Sequence, residues 1–227
     1  MFLGESIESI HGISRRGLKL KWRLQDLAAN LHITPALVPN SQADIDHLHS
    51  FRVLAHSEVQ AYLEDVTEQI LTVTEDRAVY SGMLTHAGHH LLVSSSLTPL
   101  ASKGQAVNAR FPLYDARLAC AAVAADSAQL VAAIKRHRKN IKDNGGVKAG
   151  NVRMLLHPLG YRESFFAIGL LDLLDDFGRE RGNVAHGAGA AVVNIPTGST
   201  ELSRITKIIP GLIRIDQYVP RLLMPAS

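Results

Sequence analysis

The sequence predicts an all-α fold, a helical bundle preceded by a helical N-terminal extension. Apolar residues recur at steps of three and four along most of the chain, which is the spacing of amphipathic helices. Runs compatible with β-strands are few and short. The chain has 227 residues, of which 46% are apolar and 20% charged, so it can bury a sizeable core and is not disordered in composition. We expect a helical extension over residues 1–45 and a helical domain over residues 46–227.

Two helices are predicted in the N-terminal half. Residues 1–45 contain one helix, and its apolar positions are Leu18, Trp22, Leu27 and Leu31. The segment ITPALVPN closes this helix. A longer helix is predicted from about Asp46 to Leu71. Its apolar stripe consists of Phe51, Ala55, Val59, Tyr62, Leu63, Val66 and Ile70. The following run LLVSSSL (91–97) is consistent with either a strand or a loop.

Three further segments have helical spacing in the C-terminal half. An Ala-rich segment from Asp115 to about Lys142 ends in the basic run KRHRKNIK and an Asn-Gly-Gly stop signal. A third stripe follows Gly160 and consists of Phe166, Leu170, Leu173, Leu174 and Phe177. The fourth covers Glu201 to Val219, and because it stays in phase across Pro210 we predict a kink there and not an end. Without the helix of the N-terminal extension, four helices with an apolar stripe are predicted, and four such helices indicate a bundle. The run AAVVNIP (190–196) is a second candidate strand or loop.

Composition excludes several classes of protein. The formal net charge is +3 and the isoelectric point is near 9.1, which permits an acidic partner without requiring one. The single cysteine, Cys120, excludes an intrachain disulfide framework and a multi-cysteine zinc site. No secretory signal and no apolar run long enough for a membrane span are evident. We therefore expect a soluble cytoplasmic protein.

The candidate chemistry lies at the end of the third predicted helix. Arg181 follows Phe177 by four positions and Leu174 by seven, so it occupies the apolar stripe, where an unpaired guanidinium is costly. Either a carboxylate such as Glu58 pairs with it, or the position is kept polar to bind a phosphate. His186 follows five residues later, about 140° around an ideal helix, unless the helix loosens at Gly182.

An arginine and a histidine suit RNA cleavage, because attack by a 2'-hydroxyl requires a base, an acid and a cation for the phosphorane. No metal or other cofactor is needed for that chemistry. The spacing R-x4-H alone is expected roughly once by chance in a chain of this composition. Its position at the end of a striped helix makes it more specific.

Other features receive simpler interpretations. The histidines of THAGHH (85–90) lack an accompanying acidic or cysteine ligand, so we predict no metal site. Phosphate-binding glycine loops and hydrolase triads are also not supported by the sequence. A basic cluster near the Asn-Gly-Gly segment is either a solvated helix end or a surface for an RNA backbone. Its candidate RNA-binding residues are Arg138, Lys139, Lys142 and Lys148.

Three segments, in order, carry a family resemblance. The stretch LLDLLDDFGRERGNVAHG (170–187) resembles the RG-x-x-AH segment of HEPN domains, in particular the branch called RiboL-PSP-HEPN. RVLAHSEVQAYLEDV (52–66) resembles the first core helix of that branch, and RKNIKDNGGVKAGNVRMLLHPLG (138–160) its Asn-Gly connector. The resemblance covers roughly residues 46–219. It implies an all-α bundle that commonly dimerises and is often a metal-independent endoribonuclease of toxin–antitoxin or antiviral systems.

Carried over by position, the resemblance implies a catalytic site. Arg181 would stabilise the phosphorane and His186 would transfer the proton, while Asn183 and Glu58 would orient the substrate, with Gln60 as a second choice to Glu58. A two-fold homodimer would place two copies of the motif together, so that one imidazole acts as base and the other as acid. An antitoxin partner is also implied. The alternatives are a non-catalytic module that binds RNA, a nucleotide or a partner, and an inactive relative.

Overall fold

A computed structural model describes residues 14–101, 127–186 and 196–226, with only the backbone described for residues 96–101 and 183–186. This part of the chain forms seven α-helices and two short 3-10 helices (His157–Leu159 and Glu163–Phe165), and no β-strand. The α-helices are α1 (Arg15–Asn30), α2 (Gln42–Ser81), α3 (His86–Ala101), α4 (Ser127–Lys142), α5 (Ala149–Leu156), α6 (Leu170–His186) and α7 (Gly198–Leu222). The predicted all-α fold is confirmed.

Helix α2 is the first predicted core helix, and it extends further at both ends than the apolar stripe indicated. At its N-terminus Ser41 and Asp44 form a reciprocal cap, in which each side chain accepts a hydrogen bond from the backbone N–H of the other. Towards the C-terminus of α2 the inner face of the helix is occupied by a buried threonine, Thr74, so no apolar residue marks the stripe there. Polar side chains on the inner face therefore concealed the last turns from a hydrophobicity pattern.

The run LLVSSSL (91–97) lies in helix α3 and forms neither a strand nor a loop. The hydroxyl of Thr85 accepts a hydrogen bond from the backbone N–H of Gly88 at 3.0 Å and so caps the first turn. A Cβ atom at Gly88 would lie 2.8 Å from Cγ2 of Thr74, so glycine allows α3 to approach α2 closely at this point. Short apolar runs do not distinguish helix from strand, and here the cap decides.

The remaining predicted helices are present with shifted limits. Helix α4 ends at Lys142 as expected, whereas the first part of the Ala-rich segment, including Cys120, lies outside the described residues. Four of the five residues of the third stripe lie in α6, which begins at Leu170, whereas Phe166 precedes the helix. Helix α6 continues through Gly182 without loosening. Helix α7 runs through Pro210 without ending. The candidate strand at 190–196 lies outside the described residues except for its last position.

Contacts between Cα atoms divide the chain into two compact units. The first contains the described residues of Met1–Asp65, Gly145–Val152 and Glu163–Tyr218, and the second those of Val66–Asn144, Arg153–Arg162 and Val219–Ser227. No helix within the described ranges is long and apolar enough to cross a membrane.

Helix α1 is an integral part of the first unit. Ser14 caps it by accepting a hydrogen bond from the N–H of Gly17 at 2.9 Å, and its inner face buries Leu20, Leu24 and Ala28. Two arginines tie it to other helices: Arg16 to Asp216 of α7 and Arg23 to Glu58 of α2. The separation of residues 1–45 from the rest of the fold stays a prediction.

A buried ionic network joins α2, α6 and α7 within the first unit. Arg52 is 2% exposed and hydrogen bonds to Glu201, which is 1% exposed. Its other guanidinium nitrogen lies 3.3 Å from Glu180 of α6, and Arg204 adds a bond to Glu201 at 3.0 Å. Because each buried charge has a partner, the network fixes α6 relative to α2 just before Arg181.

Candidate functional site

A pocket of about 350 Å³ opens in the first unit beside α6. Helix α2, the segment before α5, the start of α5 and the last described turns of α6 form its wall. The lining residues are His56, Gly145, Gly146, Val147, Lys148, Asn151, Gly178, Arg181 and Gly182. No carboxylate is among these described lining residues, while two side chains, Arg181 and Lys148, are cationic. The pocket is therefore suited to an anion.

Arg181 occupies the position that the apolar stripe predicted. Its Nε atom is buried and makes no hydrogen bond to any described residue. The charged residues directly before it on α6 are paired: Arg179 with Asp176, and Glu180 with Arg52. A buried guanidinium donor without an acceptor is costly, typically about 1–3 kcal/mol, and an anion that reached it would supply the acceptor. Of the two interpretations offered by the sequence, the structure does not bring Glu58 to this guanidinium.

Glycine at position 178 accounts for the position of Lys148. A Cβ atom there would lie 2.7 Å from Cγ of Lys148, so the lysine stem passes directly over the helix backbone. Lys148 is an exposed residue, so its ammonium group is accessible to a ligand. Lys148 is thus the one member of the predicted RNA-binding set that lines the pocket with Arg181.

The segment that carries Lys148 leads into α5. Asp175 of α6 accepts a hydrogen bond from the backbone N–H of Ala149 at 2.7 Å and so caps the start of that helix. Asn151, in the first turn, lines the pocket. The cap holds the backbone of the connector against α6, the helix that also carries Arg181.

His56 is the residue of α2 that contacts this pocket. It is 3% exposed, and its ring centroid lies 5.7 Å from that of Phe177 at an interplanar angle of 34°. Its Nε2 would lie 3.5 Å from a Cβ atom on Gly146. Burial, together with the nearby charge of Arg181, lowers the pKa of His56 to about 4. His56 is therefore neutral at physiological pH, and the positive charge of the lining comes from Arg181 and Lys148.

The spacing of apolar residues in α2 places His56 on the buried face of the helix. Counting back from Val59 and Leu63 by three and seven positions gives His56, and four further gives Arg52. Both polar residues replace apolar ones at the N-terminal end of a buried stripe, and both are buried. Buried polar side chains on a core stripe indicate a network or a site.

Glu58 and Gln60 are engaged away from the pocket. Glu58 accepts two hydrogen bonds from Arg23 of α1, at 2.9 and 3.2 Å, and this hydrogen bonding, together with the charge of Glu58, raises the pKa of Arg23. Gln60 donates to Glu64 on the same helix. Positions 56 and 58 differ by about 200° around an α-helix, which explains why the pocket contains one and not the other.

The two remaining predicted catalytic residues, Asn183 and His186, belong to the last turns of α6. Their backbone is helical, so His186 is separated from Arg181 by about 140° and 7.5 Å along the helix axis. Their side chains lie outside the described part of the structure. The composite Arg/His site stays a prediction.

The other three candidate RNA-binding residues belong to α4, in the second unit. Arg138 forms ion pairs with Glu68 and Glu75 at 2.7 and 2.6 Å, which neutralise its charge. Lys139 and Lys142 are exposed in the last turn of α4. The basic cluster of the sequence is therefore divided between two units, and its arginine serves an internal network.

The histidines of α3 form no metal site with their described neighbours. His89 is buried, and His90 packs against the backbone of Gly160, where a Cβ atom would meet its ring at 2.5 Å. Burial, and secondarily the charge of His89, lowers the pKa of His90 to about 4. Within the described residues no group of three or more His, Cys, Asp or Glu side chains is arranged to hold a metal ion.

Comparisons with protein-family models, with curated proteins and with solved structures find no match for this chain.

Proposed function

We propose that the chain is a metal-independent endoribonuclease of the HEPN type, whose Arg181 pocket receives a phosphate of the RNA backbone. The observation that carries the proposal is the buried Nε of Arg181, which has no acceptor among the described residues. Lys148 adds a second cation on the same wall, and no described carboxylate competes for either. A phosphate oxygen would supply the missing acceptor, and a guanidinium binds it well.

The proposed reaction needs no group beyond the protein and the RNA. The 2'-hydroxyl loses its proton to a base and its oxygen attacks the adjacent phosphorus, while the bond from phosphorus to the 5'-oxygen breaks. An acid returns a proton to that 5'-oxygen, leaving a 2',3'-cyclic phosphate and a 5'-hydroxyl. Arg181 stabilises the charge that develops on the phosphorane, and His186 transfers protons.

A two-fold homodimer forms part of the proposal. One motif supplies one His186, and the reaction needs both a base and an acid, so a second copy would supply the second imidazole. His56 does not suit either role at neutral pH, since a pKa of about 4 makes it a weak base. Cleavage by a protein that sediments as a monomer at the assay concentration would contradict this composite site. A role as a toxin or antiviral effector, with an antitoxin as partner, follows from the resemblance alone.

A second candidate function is a non-catalytic module that binds RNA or a nucleotide. The observation favouring it is the low pKa of His56, the one histidine among the described lining residues. The described groups of the pocket can hold an anion without transferring a proton. His186 separates the two functions, because only the nuclease needs its imidazole.

Product analysis tests the proposal. Purified protein would be incubated in EDTA with a pool of single-stranded and structured RNA, beside Arg181→Ala, His186→Ala and, as a matched control, Arg179→Ala. Arg179 lies on the same helix but is exposed and paired with Asp176. We expect cyclic phosphate ends from the wild type and the control, and a loss of about 10²-fold or more in both other variants. RNA that binds but stays intact with the wild type favours the binding module. Circular dichroism and sedimentation check that the variants fold and associate normally.

A further inference from the structure

The Arg181 pocket is larger than the phosphate group proposed to bind in it. Its volume is about 350 Å³. A phosphate has five non-hydrogen atoms, and at the roughly 30 Å³ that a water molecule occupies in the liquid it would fill less than about half of that space. Pockets for small organic ligands begin at about 300 Å³. The volume therefore suits one nucleotide, with its sugar and base, better than a phosphate alone.

Much of the pocket wall is backbone without side chains. Four of the nine described lining residues are glycines, namely Gly145, Gly146, Gly178 and Gly182. A glycine lets a ligand approach the backbone closely. At Gly145 and Gly182 a Cβ atom would meet no described atom within 4 Å, so these two positions border open space. Such a wall leaves room for a planar group such as a nucleobase.

Two neutral polar side chains, Asn151 and His56, line the same pocket and meet beside Gly146. A Cβ atom on Gly146 would lie 3.4 Å from Nδ2 of Asn151 and 3.5 Å from Nε2 of His56, so these two nitrogens are no more than about 7 Å apart. Neither side chain hydrogen bonds to any described residue. An amide and a neutral imidazole each offer a donor and an acceptor. The pocket therefore contains two unused hydrogen-bonding groups besides its two cations.

The two kinds of group match the two parts of a nucleotide. Arg181 and Lys148 suit the anionic phosphate, as described above. A carboxamide forms paired hydrogen bonds with adenine, in which it donates to N7 and accepts from the N6 amino group. Arginine and lysine can read O6 and N7 of guanine, but here the phosphate engages both cations.

The amide also discriminates against guanine at the other edge of the base. The Watson–Crick edge of guanine presents two adjacent donors, which two acceptor oxygens of a carboxylate would match. No acidic residue is among the described lining residues. Asn151 has a single acceptor oxygen, so it satisfies adenine better than guanine.

We propose that the pocket binds one nucleotide of the RNA and that Asn151 selects its base, favouring adenine over guanine. The selection rests on the proposed function in one respect, which is that the phosphate lies at Arg181. Asn151 is a specificity-determining residue and takes no part in proton transfer, while His56 offers a second neutral group to the edge of the base. Hydrogen bonds to exposed base edges are the usual means by which proteins select single-stranded RNA.

Calorimetric titration of the full chain with mononucleotides tests the selection without requiring cleavage. The ligands are the 3'- and 5'-monophosphates of adenosine and guanosine, ribose 5-phosphate and inorganic phosphate. We expect adenosine monophosphate to bind about tenfold more tightly than the matching guanosine monophosphate, which is within the range of one bidentate base contact. Ribose 5-phosphate and inorganic phosphate should bind more weakly than adenosine monophosphate, because they lack the base.

Two substitutions of Asn151 separate reading of the base from support of the fold. Asn151→Ala should abolish the preference for adenosine and leave the affinity for ribose 5-phosphate unchanged, which also reports that the variant is folded. Asn151→Asp should reverse the preference, because a carboxylate accepts two hydrogen bonds from guanine and donates none to N7 of adenine. The matched control is Asn140→Ala, which should bind as the wild type does, since Asn140 is exposed on α4 in the second unit.

Three results would overturn the base selection alone. They are equal affinity for the adenosine and guanosine monophosphates, a preference that persists in Asn151→Ala, and an unchanged preference in Asn151→Asp. Arg181→Ala distinguishes these from failure of the phosphate site, because it should weaken the binding of every ligand, including ribose 5-phosphate. Unchanged affinities in Arg181→Ala would overturn the phosphate site and, with it, the base selection.

Discussion

Replacing Arg181 by leucine should stabilise the protein while weakening the binding of RNA in the pocket. The guanidinium places one buried donor, Nε, against no described acceptor, and such a group carries a desolvation cost of about 1–3 kcal/mol. Leucine removes that cost and continues the apolar stripe of Phe177 and Leu174. Some packing of the arginine stem is lost, so we expect a net gain of about 1 kcal/mol in the free energy of unfolding.

Urea denaturation followed by circular dichroism measures this gain. A higher midpoint at an unchanged slope reports stability alone. The matched control is Arg179→Leu, which removes an exposed ion pair with Asp176 and should change the free energy of unfolding by less than about 0.5 kcal/mol. RNA affinity should fall in Arg181→Leu and persist in the control.

A loss of stability in Arg181→Leu of more than about 1 kcal/mol would refute this reasoning, since it would mean that the guanidinium has a structural acceptor. RNA affinity equal to that of the wild type would refute the assignment of the pocket as the phosphate site.

Three other substitutions test separate parts of the structure. His56→Phe should reduce acid sensitivity. The folded pKa of His56, about 4, lies below the unfolded value of 6.5, so the residue has no effect on the free energy of unfolding well above pH 6.5 and destabilises the fold as the pH falls below it. Between pH 7.5 and 4.5 the wild type should lose on the order of 2–3 kcal/mol more than the variant, as measured by urea denaturation. Arg52→Leu should cost about 3–5 kcal/mol, because Glu201 keeps its buried charge without its main partner, and Arg52→Leu combined with Glu201→Leu should recover most of that loss. Gly178→Ala should weaken RNA binding several-fold in a filter-binding assay with little change in stability, because the new methyl group displaces the flexible stem of Lys148.

Each of these has an outcome that contradicts it. Equal acid-induced losses in the wild type and His56→Phe would show that His56 protonates freely in the folded state. A double Arg52/Glu201 variant no more stable than the single one would mean that the network is not coupled. For the pocket, Gly150→Ala is the control, since Gly150 does not line the pocket and an added Cβ there meets nothing within 4 Å. Equal RNA affinity in Gly178→Ala and Gly150→Ala would contradict the role of Lys148.

The fold was predictable where one apolar stripe continued without interruption. The stripe from Phe51 to Ile70 identified α2, and the stripe across Pro210 identified α7, because periodicity of 3.6 residues reports one buried face. Periodicity does not identify the helix over 91–97, where the hydroxyl of Thr85 caps the first turn and glycine at position 88 allows a close contact with α2. Those determinants are single polar or small residues, which a hydrophobicity pattern does not register.

The site was predictable in part for a related reason. Arg181 stood out because it interrupts a stripe, and the same logic applied to His56 would have found the residue of α2 that contacts the pocket. The resemblance suggests Glu58 as a polar residue of the first core helix in phase with Phe51 and Tyr62. The docking of α1, which supplies Arg23 as the partner of Glu58, depends on tertiary packing that the sequence pattern does not show. Lys148 was grouped with Lys142 by proximity in sequence, whereas the two belong to different compact units.

The central claim is that Arg181 receives a phosphate of RNA through its Nε–H. A nuclear magnetic resonance titration of arginine Nε–Hε signals tests it most directly, with the Arg181 signal assigned by its absence from the spectrum of Arg181→Lys. The ligand is a short single strand with 2'-deoxy sugars, which can bind but cannot be cleaved by 2'-hydroxyl attack. The account predicts a saturable shift of the Arg181 signal, with no comparable shift of Arg179. An Arg181 signal that stays unchanged while the strand binds would contradict the claim.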